Sequence, residues 1–90
     1  MSLDEYREEI DRINHDIAEL ISERMEVVQK VGEYKEEQGM EIKDEGREKV
    51  VKDQFADIFE ENDLPAERGR LFASILIEMA INEELEVKEK

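Results

Sequence analysis

An apolar seam runs through the first third of the chain and limits what it can fold into. Leu3, Tyr6, Ile10, Ile13, Ile17 and Leu20 step alternately by three and four, and Val27, Val31 and Tyr34 continue the rhythm. Such steps place every member on one face of an α-helix. The helix expected over residues 2–38 is about 54 Å long at ~1.5 Å per residue. A compact globule of 90 residues has a radius of gyration of only about 12 Å. The helix is therefore too long for its own domain, and two shorter helices downstream cannot cover the whole seam. The expected architecture is all-α, with three helices per chain and a long first helix, in an intertwined homodimer whose long helices pack on each other. A simple coiled coil is the plainer alternative, but it leaves the later apolar faces unexplained.

Local signals set the element boundaries. "SLDE" at residues 2–5 is a capping box, in which Ser2 and Glu5 satisfy each other's backbone N–H groups. Gly39 follows the last periodic residue, where a left-handed helix terminus is expected. Gly32 lies inside the helix at a cost of about 1 kcal/mol against Ala, for which close packing on a neighbour is the usual reason. "MEIKD" is a connector, and Asp44 caps a second helix over residues 45–61 with Val51, Phe55, Ile58 and Phe59 inward. "NDLPAE" is the second break, with Asp63 available as a cap and Pro65 tolerated in a first turn. The third helix is expected over residues 66–87, with Leu71, Phe72, Ile75, Leu76, Met79 and Ile81 apolar. Residues 1–90 read as one domain, with no strand pattern or repeat.

Composition removes several function classes. There is no cysteine, hence no disulfide framework or thiolate metal site. A net charge of −14 argues against nucleic acid or an anionic membrane as a partner. No leader-like apolar run opens the chain, so a soluble, cytoplasmic protein is expected.

One residue breaks the seam. Arg24 stands between Leu20 and Val27, where the rhythm calls for Leu or Val. A buried guanidinium without a partner is very costly, so Arg24 either bridges to an acid on another helix or faces a cavity. Lys35 lies three turns on and points in a similar direction. Arg7 lies near the far end of the helix, where an antiparallel partner would bring it towards Arg24 and Lys35 of the other copy. Arg47 and Glu48 open the second helix, where the chain has turned back. Cations converging on an apolar region of an acidic protein suggest a pocket for a small, multiply charged anion. On helix three, Leu76, Ala80 and Glu84 step by four, so Glu84 either extends an apolar face or lies solvated beyond the core. His15 with Asp11 and Glu19 forms at most a weak cluster, and neither a metal nor a cofactor is expected.

The order Arg7, Arg24 in "SERMEVVQKVGEYK", Lys35, then Asp44, Arg47 and Glu48 in "IKDEGREK", then "LFASILIEMAINEE" resembles the all-helical class of chorismate mutases. The resemblance spans residues 3–85, is most specific from Arg24 to Glu48, and is weaker in helix three. It implies an intertwined dimer and the cofactor-free Claisen rearrangement of chorismate to prephenate, in phenylalanine and tyrosine biosynthesis. Such a catalyst must hold a flexible dianion folded and place donors at the breaking ether oxygen.

Carried over by resemblance, Arg24 clamps one carboxylate and Arg7 of the partner subunit clamps the other. Lys35 serves the ether oxygen and a carboxylate. Glu48 holds the ring hydroxyl, assisted by the backbone near Asp44, and Arg47 lines the pocket. Glu84 falls where the family has Gln or Glu as the second donor to the ether oxygen. Three positions depart from the common pattern. Ala80 stands where many relatives have a substrate-touching Ser, and Glu41 occupies a connector position that is often Pro. Glu84 replaces Gln, and only a protonated carboxyl can donate a hydrogen bond. Activity is therefore expected to fall as pH rises through the titration of Glu84. Two other functions are compatible with the pattern: an isochorismate–pyruvate lyase on the same fold, and a non-catalytic helical dimerisation or regulatory module.

Overall fold

The computed structural model describes residues 1–89. Three helices make up the chain: α1 (Leu3–Gln38), α2 (Glu45–Glu61) and α3 (Ala66–Glu89). Each expected boundary signal has its structural counterpart except one. Ser2 accepts from the Glu5 N–H while Glu5 accepts from the Ser2 backbone, completing the capping box. Gly39 is left-handed at φ 64°, and the N–H groups of Gly39 and Met40 close the last turn onto Glu36 and Lys35. Asp44 Oδ1 accepts from the Arg47 N–H at 3.0 Å and starts α2.

The exception is Asp63. It does not cap α3 but ends α2 in a left-handed conformation, φ 60°. Its N–H bonds to the Glu60 carbonyl, and the Leu64 N–H bonds to the Phe59 carbonyl. This is the double closure usually built on glycine, here carried by an Asp that tolerates the conformation.

α3 is the hub. It packs against both α1 and α2, whose backbones do not approach each other. Two glycines set these approaches. A Cβ on Gly69 would collide with the Phe55 carbonyl, so α2 and α3 meet there at backbone distance. A Cβ on Gly32 would stand 3.3 Å from the Glu84 Cα and 3.4 Å from the Val87 Cβ, which explains the glycine inside α1. Val51, Ala56, Ala73 and Leu76 are the buried apolar residues, with Phe72 stacked edge-on to Phe55 at 5.5 Å. At the surface, Arg70 and Lys49 both bind the Asp53 carboxylate, at 2.7 and 3.2 Å, and their hydrogen bonds hold Asp53 below the usual carboxylate range.

The seam of α1 is not covered within one chain. Leu3, Tyr6, Ile10, Ile13, Ile17, Leu20, Val27, Val31 and Tyr34 are all exposed, Leu20 at 65%. The face turned to the rest of the chain is a neighbouring stripe that includes Ile21, Met25, Val28 and Gly32. Ile58, expected inward, is exposed, because α3 crosses α2 over the stripe of Val51, Phe55 and Phe59. Leu71 and Ile75 on α3 are likewise exposed. The chain measures 55 × 26 × 14 Å with a radius of gyration of 16.1 Å, well above that of a compact globule of its length.

Candidate active site

A pocket opens between the second half of α1, the connector, the start of α2 and the end of α3. Arg24 and Lys35 enter it from α1, Asp44, Arg47 and Glu48 from the start of α2, and Ala80 and Glu84 from α3. Every residue expected to bind or act on the substrate therefore meets in one cavity, except Arg7. That residue is exposed near the free end of α1, beside Asp4 at 3.9 Å. It lies about 26 Å along the helix from Arg24. Ile42, Val51, Ile77 and Ile81 supply the apolar walls. None of the four was expected to line the site, although Ile77 and Ile81 flank Ala80 and Glu84 at helical spacing, a signal present in the sequence.

Glu84 is buried, 6% exposed, not solvated beyond the core. Its Oε1 lies 2.7 Å from Lys35 Nζ. The contact is a charge pair without good hydrogen-bond direction, since Oε1 has no directed hydrogen-bond partner among the described residues. The directed bond of Lys35 goes instead to the Ile42 carbonyl, at 2.7 Å. Lys35 thus ties the connector to α1 and neutralises Glu84 with the same ammonium group.

Each anion of the pocket is already engaged. Asp44 is committed to capping α2. Glu84 is paired with Lys35. Glu48 Oε2 accepts from Lys43 Nζ at 3.0 Å, from outside the pocket. That hydrogen bond and the charge of Glu48 hold the Lys43 ammonium above its ordinary value, so it stays cationic. Arg24 and Arg47, by contrast, form no ion pair among the described residues. Arg24 Nη1 is buried without a hydrogen-bond partner among them. A buried guanidinium N–H left unpaired is expensive, and a bound carboxylate would satisfy it with a charge-assisted bond. Arg24 and Arg47 also line an adjoining groove with Leu20, Val27 and Val31, so the pocket is continuous with the exposed seam.

His15 and Glu19 pair at 3.3 Å, and Asp16, not the expected Asp11, completes an exposed acidic group around them. No helix among the described residues is long and apolar enough to cross a membrane.

The family model for chorismate mutase type II matches residues 6–85. A chorismate mutase from Methanocaldococcus jannaschii is 36% identical over 76 residues, covering 84% of this chain and 77% of that protein. No solved structure matches the chain.

Proposed function

The chain belongs to the chorismate mutase type II family and is an isomerase that converts chorismate to prephenate; we propose that the pocket around Arg24 is where it does so, and that two copies of the chain build it. The observation that carries this reading is Arg24, with its buried and unpaired Nη1 in a chain of 27 acidic residues. An arginine serving stability alone has many carboxylates to choose from. One held at a concave, partly apolar site without any of them is suited to an anionic ligand.

The rearrangement is intramolecular. One C–O bond breaks as one C–C bond forms, and no proton or electron passes to the protein. Catalysis therefore reduces to folding the substrate into its reactive chair and stabilising charge on the ether oxygen. Arg24 clamps one carboxylate, and Lys35 bridges the ether oxygen and a carboxylate. Glu48 accepts from the ring hydroxyl through the oxygen not held by Lys43, beside the backbone of Asp44. Arg47 adds positive potential at the mouth. Glu84 serves the ether oxygen from the other side when it carries a proton; as a carboxylate it would oppose the developing charge. Ala80 offers no hydroxyl, so one contact of the Ser-bearing relatives is replaced by a small apolar wall.

The second carboxylate clamp is Arg7 of the partner subunit. Two properties support a dimer. The exposed seam runs along the whole of α1, and few apolar residues are buried in one chain. Backbone ordering costs about 1–2 kcal/mol per residue, which so small a core does not offset. An antiparallel pairing of two seams covers both and carries each free helix end towards the other copy's pocket.

The test is Arg24→Leu. Loss of a donor aimed at substrate charge should lower kcat/KM by at least about a hundredfold. The fold should persist, because an apolar residue at a position that buries charge is often neutral or stabilising. Chorismate absorbance gives the rate, with acid conversion of the product to phenylpyruvate as confirmation. A variant as active as the parent would remove the site assignment.

A further inference from the structure

We propose that Lys43 is a positioning residue that draws the Glu48 carboxylate to the pocket's edge and keeps it off the cations that bind substrate. The inference rests on the reading of Glu48 as the acceptor of the ring hydroxyl.

A carboxylate in a pocket for a dianion is a liability. Arg24, Lys35 and Arg47 face the same cavity as Glu48. An untethered Glu48 can turn towards them and occupy the positive charge that the substrate needs. Lys43 opposes this from the solvent side. Its Nζ lies 3.0 Å from Glu48 Oε2, the lysine side chain being 59% exposed and the glutamate 19%. The pairing uses one carboxylate oxygen and leaves Oε1 to accept a hydroxyl.

The backbone that carries Lys43 is fixed on both sides. Before it, the Ile42 carbonyl accepts from Lys35 Nζ at 2.7 Å. After it, Asp44 caps α2 through the Arg47 N–H. The ammonium is thus delivered from a pinned base, not from a loose loop. Lys52, one turn after Glu48, also borders the outer side of that residue. It makes no ion pair with Glu48 among the described residues, so the hold belongs to Lys43.

The experiment compares Lys43→Met, Lys43→Arg and Lys52→Met, with Lys43→Met repeated in a Glu48→Gln background. An exposed ion pair is a weak interaction, so Lys43→Met should raise KM by about two- to fivefold with kcat little changed. Lys43→Arg should restore KM, and Lys52→Met should leave it unchanged. In the Glu48→Gln background, where no carboxylate remains to be held, Lys43→Met should have no further effect. Three outcomes overturn the inference while leaving Glu48 in its role: an unchanged KM for Lys43→Met, an equal effect from Lys52→Met, or a Lys43→Met effect that persists beside Glu48→Gln. Full activity of Glu48→Gln alone would overturn the reading of Glu48, and the inference with it.

Discussion

Gly32 and Glu84 touch at backbone distance: a Cβ on the glycine would stand 3.3 Å from the Glu84 Cα. α1 and α3 therefore approach closely at the residue whose carboxylate meets Lys35 at 2.7 Å. The gap between the two helices sets the placement of the pair. In Gly32→Ala, α3 must retreat by a few tenths of an ångström. The alanine favours the helix by about 1 kcal/mol, which works against any loss of packing, so the melting temperature should move little. The rate should fall, by about three- to tenfold, because small misplacements of catalytic groups are costly. Measured together, kcat and the thermal midpoint separate the two effects; an unchanged kcat would show that the helix gap does not position Glu84.

Glu84 is the buried carboxyl of the pocket and the proposed second donor to the ether oxygen. The groups facing it are Lys35, with which it is paired, and the other lining charges Arg24, Arg47, Asp44 and Glu48. Only a neutral group at this position can donate to the ether oxygen. The rate should therefore be higher at pH 5 than at pH 8. Glu84→Gln donates at every pH and should flatten the profile. Rates measured from pH 5 to pH 8 on both proteins provide the check, and parallel profiles would exclude Glu84 as the donor.

Sites shared between two copies, as proposed, predict complementation. Arg7→Ala and Arg24→Leu should each be nearly inactive alone. When the two are denatured and refolded together, a mixed dimer contains one site with both arginines intact and one with neither. About half of the dimers are mixed, so roughly a quarter of the parental activity should return. Activity that stays at the level of the separate variants would place both arginines in one chain's site, or neither. Leu20→Glu, a charge at the middle of the exposed seam, should dissociate the proposed dimer in light scattering and abolish turnover with it.

Salt should help this enzyme at first. A net charge of −14 repels a dianion at long range, while only the local arginines and Lys35 attract it. The Debye length is about 10 Å at 0.1 M, so the distant repulsion is screened before the buried contacts are. Stopped-flow or steady-state kcat/KM should rise between low and moderate ionic strength. A steady decline from the lowest salt upward would show that the cation cluster dominates at all ranges.

Much of this protein was legible along the chain because the relevant forces act within a few residues. The Ser2–Glu5 box, the Asp44 cap and Gly39 each close a helix end through groups three to five positions apart, and residue type alone reveals them. The misfit of Arg24 in an apolar rhythm was readable too, since burying a guanidinium demands a reason. Asp63 misled because the same short polar side chain that caps a helix start also tolerates the left-handed end of the preceding one. Tertiary structure alone decided which stripe of α1 faces α3, and that Glu84 is buried against Lys35 while Lys43 holds Glu48 from outside. Those facts depend on the rotation and separation of whole helices. Backbone contacts at Gly32 and Gly69 set both, and no spacing within a single helix encodes them.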